Sequence, residues 1–432
     1  MIEVVSGAER SSDRALDAQP VMRVMYLSPS GQLGGAETSL LDILASLRHA
    51  RPSWPLHLVI AGEGPLAERA ASLGVRTLAL PFPNAIARLG ESGARSAGRR
   101  SEFVAQVALA MPQVAAYMSR LRRHVHSVGP DLVHTNGLKM HVLAAQARLG
   151  SGLVWHVHEY LGRRAMSARL LQWSRSRCSA VIANSASVAA DVRATLTDVR
   201  VTVVPNAVDL GRFSPYGARL DLDALAGLPP ASSNTVRIGL MGTFARWKGH
   251  EVFLKAFARI PPAVPTRAYI VGDAVYDTDG SQFSRAELVE LAQQLGIGDR
   301  VGFTGFVAQP DCALRALDVV VHASTEPEPF GLVIVEAMAS GRPVVVSLTG
   351  GAAEIVTPGV DALAHLPGDI HVLTARMTEL AADPALRARI GRAGRAAAEL
   401  RFDRDRLAGQ LIPIYQSVAD RLVTGHRQTT ND

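Results

Sequence analysis

The chain has 432 residues, 48% hydrophobic and 19% charged, with a formal net charge of +6, which is the composition of a globular protein with room for two large domains. Its two cysteines, Cys178 and Cys312, show no CxxC and no paired spacing, so there is no framework for disulfides or structural zinc, and a reducing cytoplasm is the expected compartment. No apolar run reaches the roughly eighteen residues of a membrane span and no nucleic-acid module is legible, so the positive charge points to a phosphorylated substrate or anionic lipid headgroups.

Residues 1–20 carry Glu3, Glu9, Arg10, Asp13, Arg14 and Asp17 without the apolar core of a signal peptide, and are expected to be a disordered extension. From about residue 22, short apolar runs alternate with helix-like stretches, the pattern of a parallel sheet with helices on both faces. Runs at 23–27, 56–60, 76–80, 131–134, 153–157, 180–183 and 201–204 are the candidate strands of a first Rossmann-like domain, residues 21–210. The first run leads into Ser28-Pro-Ser-Gly-Gln-Leu-Gly-Gly-Ala-Glu-Thr38 and a helix towards Leu47. Gly34 and Gly35 let backbone N–H groups approach an anion closely, but Gly31, Gly34 and Gly35 do not form the GxGxxG of a dinucleotide site.

Residues 84–100 break the alternation, with Arg88, Arg95, Arg99 and Arg100 against Glu91 alone; such a basic segment is either a contact surface or a solvated loop. A helix follows over 103–125, with Phe103, Val107, Val114, Met118, Leu121 and Val125 at helical spacing, Pro112 as a kink and Arg120, Arg122 and Arg123 extending the basic character. Asp131-Leu-Val-His-Thr-Asn136 and Leu153-Val-Trp-His-Val-His-Glu159 each place a histidine at a strand end, the edge where open α/β sheets bind ligands. His156 alternates with His158 and is expected to face the other way, so His156, His158 and Glu159 make no metal set.

Residues 211–234 read as a linker. A second alternating domain, residues 235–400, has candidate strands at 237–241, 268–271, 301–303, 319–322 and 344–347. Gly242-Thr-Phe-Ala-Arg246-Trp-Lys248-Gly249-His250 follows its first strand. Arg246 and Lys248, with Gly249 opening a helix, form a candidate diphosphate clamp, the lysine as a point charge and the arginine as a fork. Asp277-Thr-Asp279 lies in a polar loop without a third ligand and reads as a turn. Asp383-Pro384 starts a basic helix, a last helix is expected over 401–422, and residues 423–432 read as a disordered tail.

The most informative stretch is Thr325-Glu-Pro-Glu-Pro-Phe-Gly-Leu-Val-Ile-Val-Glu-Ala-Met-Ala-Ser-Gly-Arg-Pro-Val-Val-Val-Ser-Leu-Thr-Gly-Gly-Ala-Ala-Glu354, which places Glu328 and Glu336 on either side of Phe330-Gly331-Leu332. A helix starting there aims free N–H groups and its positive dipole end at a phosphate. Glu336 falls about a turn and a half further in, within reach of a ribose hydroxyl. This stretch resembles the signature of the retaining glycosyltransferases of family 4 (glycosyltransferase group 1), and the likeness runs over roughly residues 22–422.

The resemblance implies an α/β protein of GT-B fold, two Rossmann-like domains facing an inter-domain cleft. It implies transfer of a sugar from a nucleotide diphosphate sugar, UDP- or GDP-linked, to a hydroxyl of a glycan, glycolipid or small-molecule acceptor, with retention and with no obligatory metal or other cofactor. Catalytic roles carry over to His158 and Glu328. Donor binding carries over to Gly34, Gly35, Arg246, Lys248, Phe330, Gly331, Leu332 and Glu336, although Trp247 and a shortened loop depart from the family's spacing around Arg246. Gly302-Phe-Thr-Gly-Phe306 resembles the base-proximal loop, Arg88 to Arg100 lie where the family often meets the acceptor or the membrane inner face, and the last helix is implied to cross back onto the first domain. Retention requires attack from the face the diphosphate leaves or two inversions through a covalent intermediate; both stay open. So do two alternatives, another GT-B enzyme of nucleotide sugars such as an epimerase, and a noncatalytic nucleotide-sugar-binding protein.

Overall fold

The computed structural model describes residues 21–83, 100–274 and 281–429. The protein is α/β, with two doubly wound domains. The first holds β1 (Val24–Ser28), β2 (Leu56–Ile60), β3 (Arg76–Ala79), β4 (Leu132–Asn136), β5 (Gly152–Val157), β6 (Ala180–Ala183) and β7 (Val201–Val203), in the order β3-β2-β1-β4-β5-β6-β7. The second holds β8 (Val236–Met241), β9 (Thr266–Val271), β10 (Val301–Gly305), β11 (Val319–His322), β12 (Val344–Ser347) and β13 (Leu363–His365), in the order β10-β9-β8-β11-β12-β13. All these pairings are parallel. In each sheet the strand order reverses once, between β1 and β4 and between β8 and β11, and the loops leaving those strands open the crevice in which such sheets hold ligands.

Helices on both faces explain the near-continuous apolar strands such as β2 (LHLVI) and β12 (VVVS), buried throughout. On one face of the first sheet, Leu40, Ile43 and Leu47 of the helix Gly35–Ala50 pack with Leu411, Tyr415 and Val418 of the last helix, Arg406–Thr429, which therefore lies on the first domain. On the other face Tyr117, Leu121 and Val125 of the helix Arg100–Val128 share a core with Met140 and Leu171.

Four differences from the sequence reading have local causes. β4 runs on to Asn136, which leaves His134 inside the strand, fully buried, rather than at the ligand edge. β13 is not among the expected strands, because three residues carry too little alternation to be read. Part of the linker is built into the second domain: Asp223, in the short helix Leu222–Ala226, accepts hydrogen bonds from Arg237, Arg267 and Tyr269, a buried anchor that composition does not reveal. The last helix continues to Thr429, past the end expected at Leu422. Residues 1–20, Arg88, Arg95, Arg99, Asp277, Asp279 and residues 430–432 lie outside the described residues, and Arg100 opens its helix with a side chain that is not described.

Candidate active site

The loops leaving β8 and β11 meet at the reversal of the second sheet. Gly249 makes this possible: its φ is +78°, and a Cβ there would lie 1.9 Å from the carbonyl oxygen of Ala323. The approach sets Lys248 against Glu328, whose Oε1 and Oε2 accept from Nζ at 3.0 and 2.8 Å. Ser324 Oγ donates to Oε2 at 3.0 Å, and His322 Nε2 lies 3.3 Å from the same oxygen. Burial pushes the Glu328 carboxyl up, but the charge of Lys248 and the hydrogen bond of His322 outweigh it and hold the group well below the usual carboxylate range. Lys248 and Glu328, to which the resemblance gives separate roles, thus form one ion pair, with Glu328 buried and Lys248 partly so.

Arg246 is not part of that pair. Its Nη2 donates to Glu287 at 2.7 Å, and its guanidinium lies 4.2 Å over the Phe283 ring. The expected clamp is divided because Glu287, at the start of the helix Arg285–Gln294, offers Arg246 a carboxylate of its own. Gly331, at φ +109°, caps the helix Leu332–Ala339, so the helix start expected between Phe330 and Leu332 is present. The Phe330 ring, however, is in the core, edge-on to Phe402 at 6.0 Å, and only its backbone is left to serve a ligand. Burial raises the Glu336 carboxyl to about 7, against the opposing charge of Arg212.

In the first domain, Gly34 N–H already donates to the Glu37 carboxylate at 3.2 Å, so Glu37 stands where an anion was expected. Gly35 opens the helix, and a Cβ on it would lie 3.6 Å from Leu332 Cδ1; the glycine loop of one domain abuts the helix start of the other. His158 Nε2 is 2.6 Å from Asn136 Oδ1. Its ring centroid is only 4.1 Å from that of His156, contrary to the expectation that alternation parts the two imidazoles. Residues two apart along a strand share a face, so the side chains of His156, in β5, and His158, the residue after its end, come out on the same side. Burial lowers His158 to about 4, so the ring is neutral at pH 7. His134 is bonded to Tyr415 Oη at 2.8 Å and is part of the core.

Three contacts join the domains beside the site. Tyr160 Oη donates to the Glu328 carbonyl oxygen at 3.2 Å, the N–H groups of Ala186 and Ser187 donate to the Glu354 carboxylate at 2.8 and 2.7 Å, and Arg163 pairs with Glu326. Sequence reasoning missed Asn136, Tyr160, His322 and Ser324. A signal was available for Asn136 and His322, both last residues of strands, whereas nothing local marks Tyr160 or Ser324.

This arrangement offers a lysine charge, a helix start, the Glu336 carboxylate, which has no ion pair among the described residues, and a neutral imidazole, the donors and acceptors a nucleotide sugar requires. The family Glycosyl transferases group 1 matches residues 230–397, and Glycosyltransferase Family 4 matches residues 33–212. The D-inositol 3-phosphate glycosyltransferase of Segniliparus rotundus is 34% identical over 223 residues, 50% of this chain and 47% of that protein. The lipopolysaccharide core biosynthesis mannosyltransferase LpcC of Rhizobium leguminosarum bv. viciae is 30% identical over 254 residues, 57% of this chain and 67% of that protein. The chain therefore spans about half the length of the first of these relatives and two thirds of the second. Among solved structures, Anabaena HepE in complex with UDP superposes with a TM-score of 0.71 at 27% identity, over 92% of this chain and 100% of that one. HepE has also been solved in complex with UDP-glucose. With both domains matched and the GT-B architecture in place, the chain belongs to the group 1 (family 4) glycosyltransferases.

Proposed function

We propose that the protein is a retaining glycosyltransferase that moves a sugar from a UDP-linked donor to a hydroxyl of a glycan, glycolipid or small-molecule acceptor without an obligatory metal. The observation that carries this reading is the Lys248–Glu328 pair beside the helix start at Leu332, with Gly35 of the other domain against that helix. As the bond from the anomeric carbon to the diphosphate oxygen breaks, its electron pair leaves with the diphosphate, and the acceptor oxygen bonds to carbon and gives up its proton to the departing diphosphate. Lys248 and the N–H groups at the helix start are oriented before that charge grows, which is where such donors lower a barrier most. Glu336 takes the ribose hydroxyls, His158 faces the reaction as a neutral ring, and Glu328 keeps Lys248 in place and negative charge near the donor sugar. The UDP and UDP-glucose complexes of HepE support a uridine donor.

A thermal-shift series with UDP, GDP and ADP tests the base, since a ligand of the folded state alone raises the melting temperature; stabilisation by GDP and not UDP would exclude uridine. NMR of the product from an α-linked donor tests the rest. An α-linked product formed equally fast in EDTA is expected, a β-linked product would overturn retention, and conversion of the donor without acceptor would favour an epimerase.

A second element of the reading is that the acceptor is met at an anionic lipid surface. On the helix Ala165–Ser174, Met166, Leu170 and Trp173 are 52%, 42% and 68% exposed. Arg169 is exposed within this stripe, and the Arg177 guanidinium lies 5.7 Å over the Trp173 ring. An apolar stripe set among arginines is the pattern of a helix that lies in an anionic interface.

A further inference from the structure

The partner of His158 has a consequence for what that imidazole can do. Asn136 is fully buried at the end of β4, beside β5 in the sheet, and its side chain is pinned from both ends. Its amide Nδ2 donates to the Ala36 carbonyl oxygen at 3.2 Å, and its Oδ1 is 2.6 Å from His158 Nε2. Turning the amide over would set Oδ1 against the Ala36 carbonyl, two acceptors with no proton between them. With Oδ1 facing Nε2, that nitrogen must carry the ring proton. Nδ1 is then the nitrogen with the free lone pair. It is buried and has no hydrogen-bond partner among the described residues.

We propose that Asn136 is a positioning residue that locks His158 in the Nε2–H tautomer, so that the imidazole serves the sugar-transfer site as a hydrogen-bond acceptor through Nδ1 and does not act as a proton donor. The role rests on the glycosyltransferase reading, but the tautomer does not. A buried acceptor left without a partner is most readily satisfied by a hydroxyl, which a sugar supplies in quantity and a diphosphate does not. The surroundings agree. The titratable groups that interact with His158 are the imidazoles of His134 on β4, His141 on the following helix and His156 on β5, all buried and all disfavoured as cations; the adjacent Glu159 is paired with Arg164, and burial alone accounts for the shift of His158 among the described residues.

Two measurements test this. The first needs no turnover: in 15N-labelled protein, the His158 Nε2 resonance is expected in the protonated range and Nδ1 in the lone-pair range at pH 7. A proton on Nδ1, or rapid exchange between tautomers, would overturn the lock even if the protein proves to be an active transferase. The second is Asn136→Asp, nearly isosteric, with folding checked by thermal unfolding. A carboxylate beside Nε2–H favours the imidazolium and turns Nδ1 into a donor. The His158 pKa, followed by NMR, should therefore rise, and the transfer rate at saturating donor should gain a rising limb, approaching about tenfold per pH unit below the raised pKa, in addition to any pH dependence of the wild type. A folded Asn136→Asp protein whose His158 pKa is unchanged would refute the contact. A raised pKa with a pH profile at saturating donor unchanged from the wild type's would refute the acceptor role while leaving the tautomer standing.

Discussion

Replacing Lys248 by methionine keeps most of the apolar stem and removes the charge against which Glu328 is buried. The Glu328 residue is 6% exposed, and among the described residues its carboxylate would keep Ser324 and His322 as partners. Unit charges at the observed 2.8 Å attract by about 6 kcal/mol at an effective dielectric constant of about 20. Part of that is offset by desolvation, and removal of one partner from a buried pair costs about 3–5 kcal/mol. Lys248→Met should therefore lower the unfolding free energy by about 3–5 kcal/mol. The double variant Lys248→Met/Glu328→Gln should regain most of the loss, because glutamine brings no charge to bury. Turnover should not follow stability: both variants should transfer sugar about a hundredfold more slowly, the scale for losing one oriented charge-stabilising donor. Because the folded pKa of Glu328 is depressed, the pair's contribution is fully present above the unfolded carboxyl pKa of about 4.3 and is lost as pH falls towards the folded value. The double variant should lose that acid-side dependence. Urea unfolding across pH, beside initial rates, measures both quantities. Equal stability of the single and double variants would mean that Lys248 does not hold Glu328, and recovery of turnover in the double variant would remove Lys248 from the transition state.

Glu336, raised to about 7 by burial, must be ionised to accept ribose hydroxyls, so affinity for a sugar nucleotide, followed by calorimetry, should fall about tenfold per unit as pH drops below 7; Glu336→Gln should bind weakly without that slope. Gly35→Ala places a methyl at ordinary contact with Leu332, 3.6 Å away, and should be tolerated, whereas Gly35→Val should raise the donor KM about tenfold, the scale of modest overpacking; equal kinetics in the two would show that the loop does not border the donor. Sedimentation with phosphatidylglycerol vesicles should capture the protein, with Trp173 emission shifting to the blue, and should weaken as salt rises. Leu170→Glu/Trp173→Glu should abolish capture, while a dimer-to-monomer change in that variant, without vesicles, would assign the stripe to a second copy of the chain.

Much of the fold is legible in the sequence because parallel strands covered on both faces must be continuously apolar: the runs at 56–60, 180–183, 319–322 and 344–347 agree with β2, β6, β11 and β12 residue for residue. The helix start at Leu332 was legible for a local reason, a glycine before an apolar helix. What could not be read are relations between distant residues. Lys248 and Glu328 are 80 positions apart, and they meet because β8 and β11 are neighbours, an order that no short window contains. The same holds for Asn136, at the end of β4, and His158, just past the end of the adjacent β5. The separation expected of His156 and His158 misapplied the two-residue period of a strand, which puts residues two apart on the same face, and the expected clamp of Arg246 with Lys248 did not foresee Glu287, 41 positions away, which holds Arg246 in this structure.

The Lys248–Glu328 pair also bears on why the site is built as it is. A buried ion pair is seldom the most stabilising filling for its volume, and well-packed apolar side chains often serve stability as well or better. Its presence calls for a reason other than folding. A lone lysine on a loop would swing with four rotatable bonds and would have to be ordered as the leaving group departs. Held by both oxygens of Glu328, which is itself fixed by Ser324, His322 and, through its carbonyl, by Tyr160 and Gly351, the ammonium is ordered beforehand. Preorganisation of that kind contributes to catalysis only if the charge is still available to a second anion. Lys248 carries three donors, and its side chain is 22% exposed against 8% for Glu328. The carboxylate is therefore the buried anchor, and Lys248 is the more exposed member of the pair, the one that on the proposed reading is offered to a diphosphate.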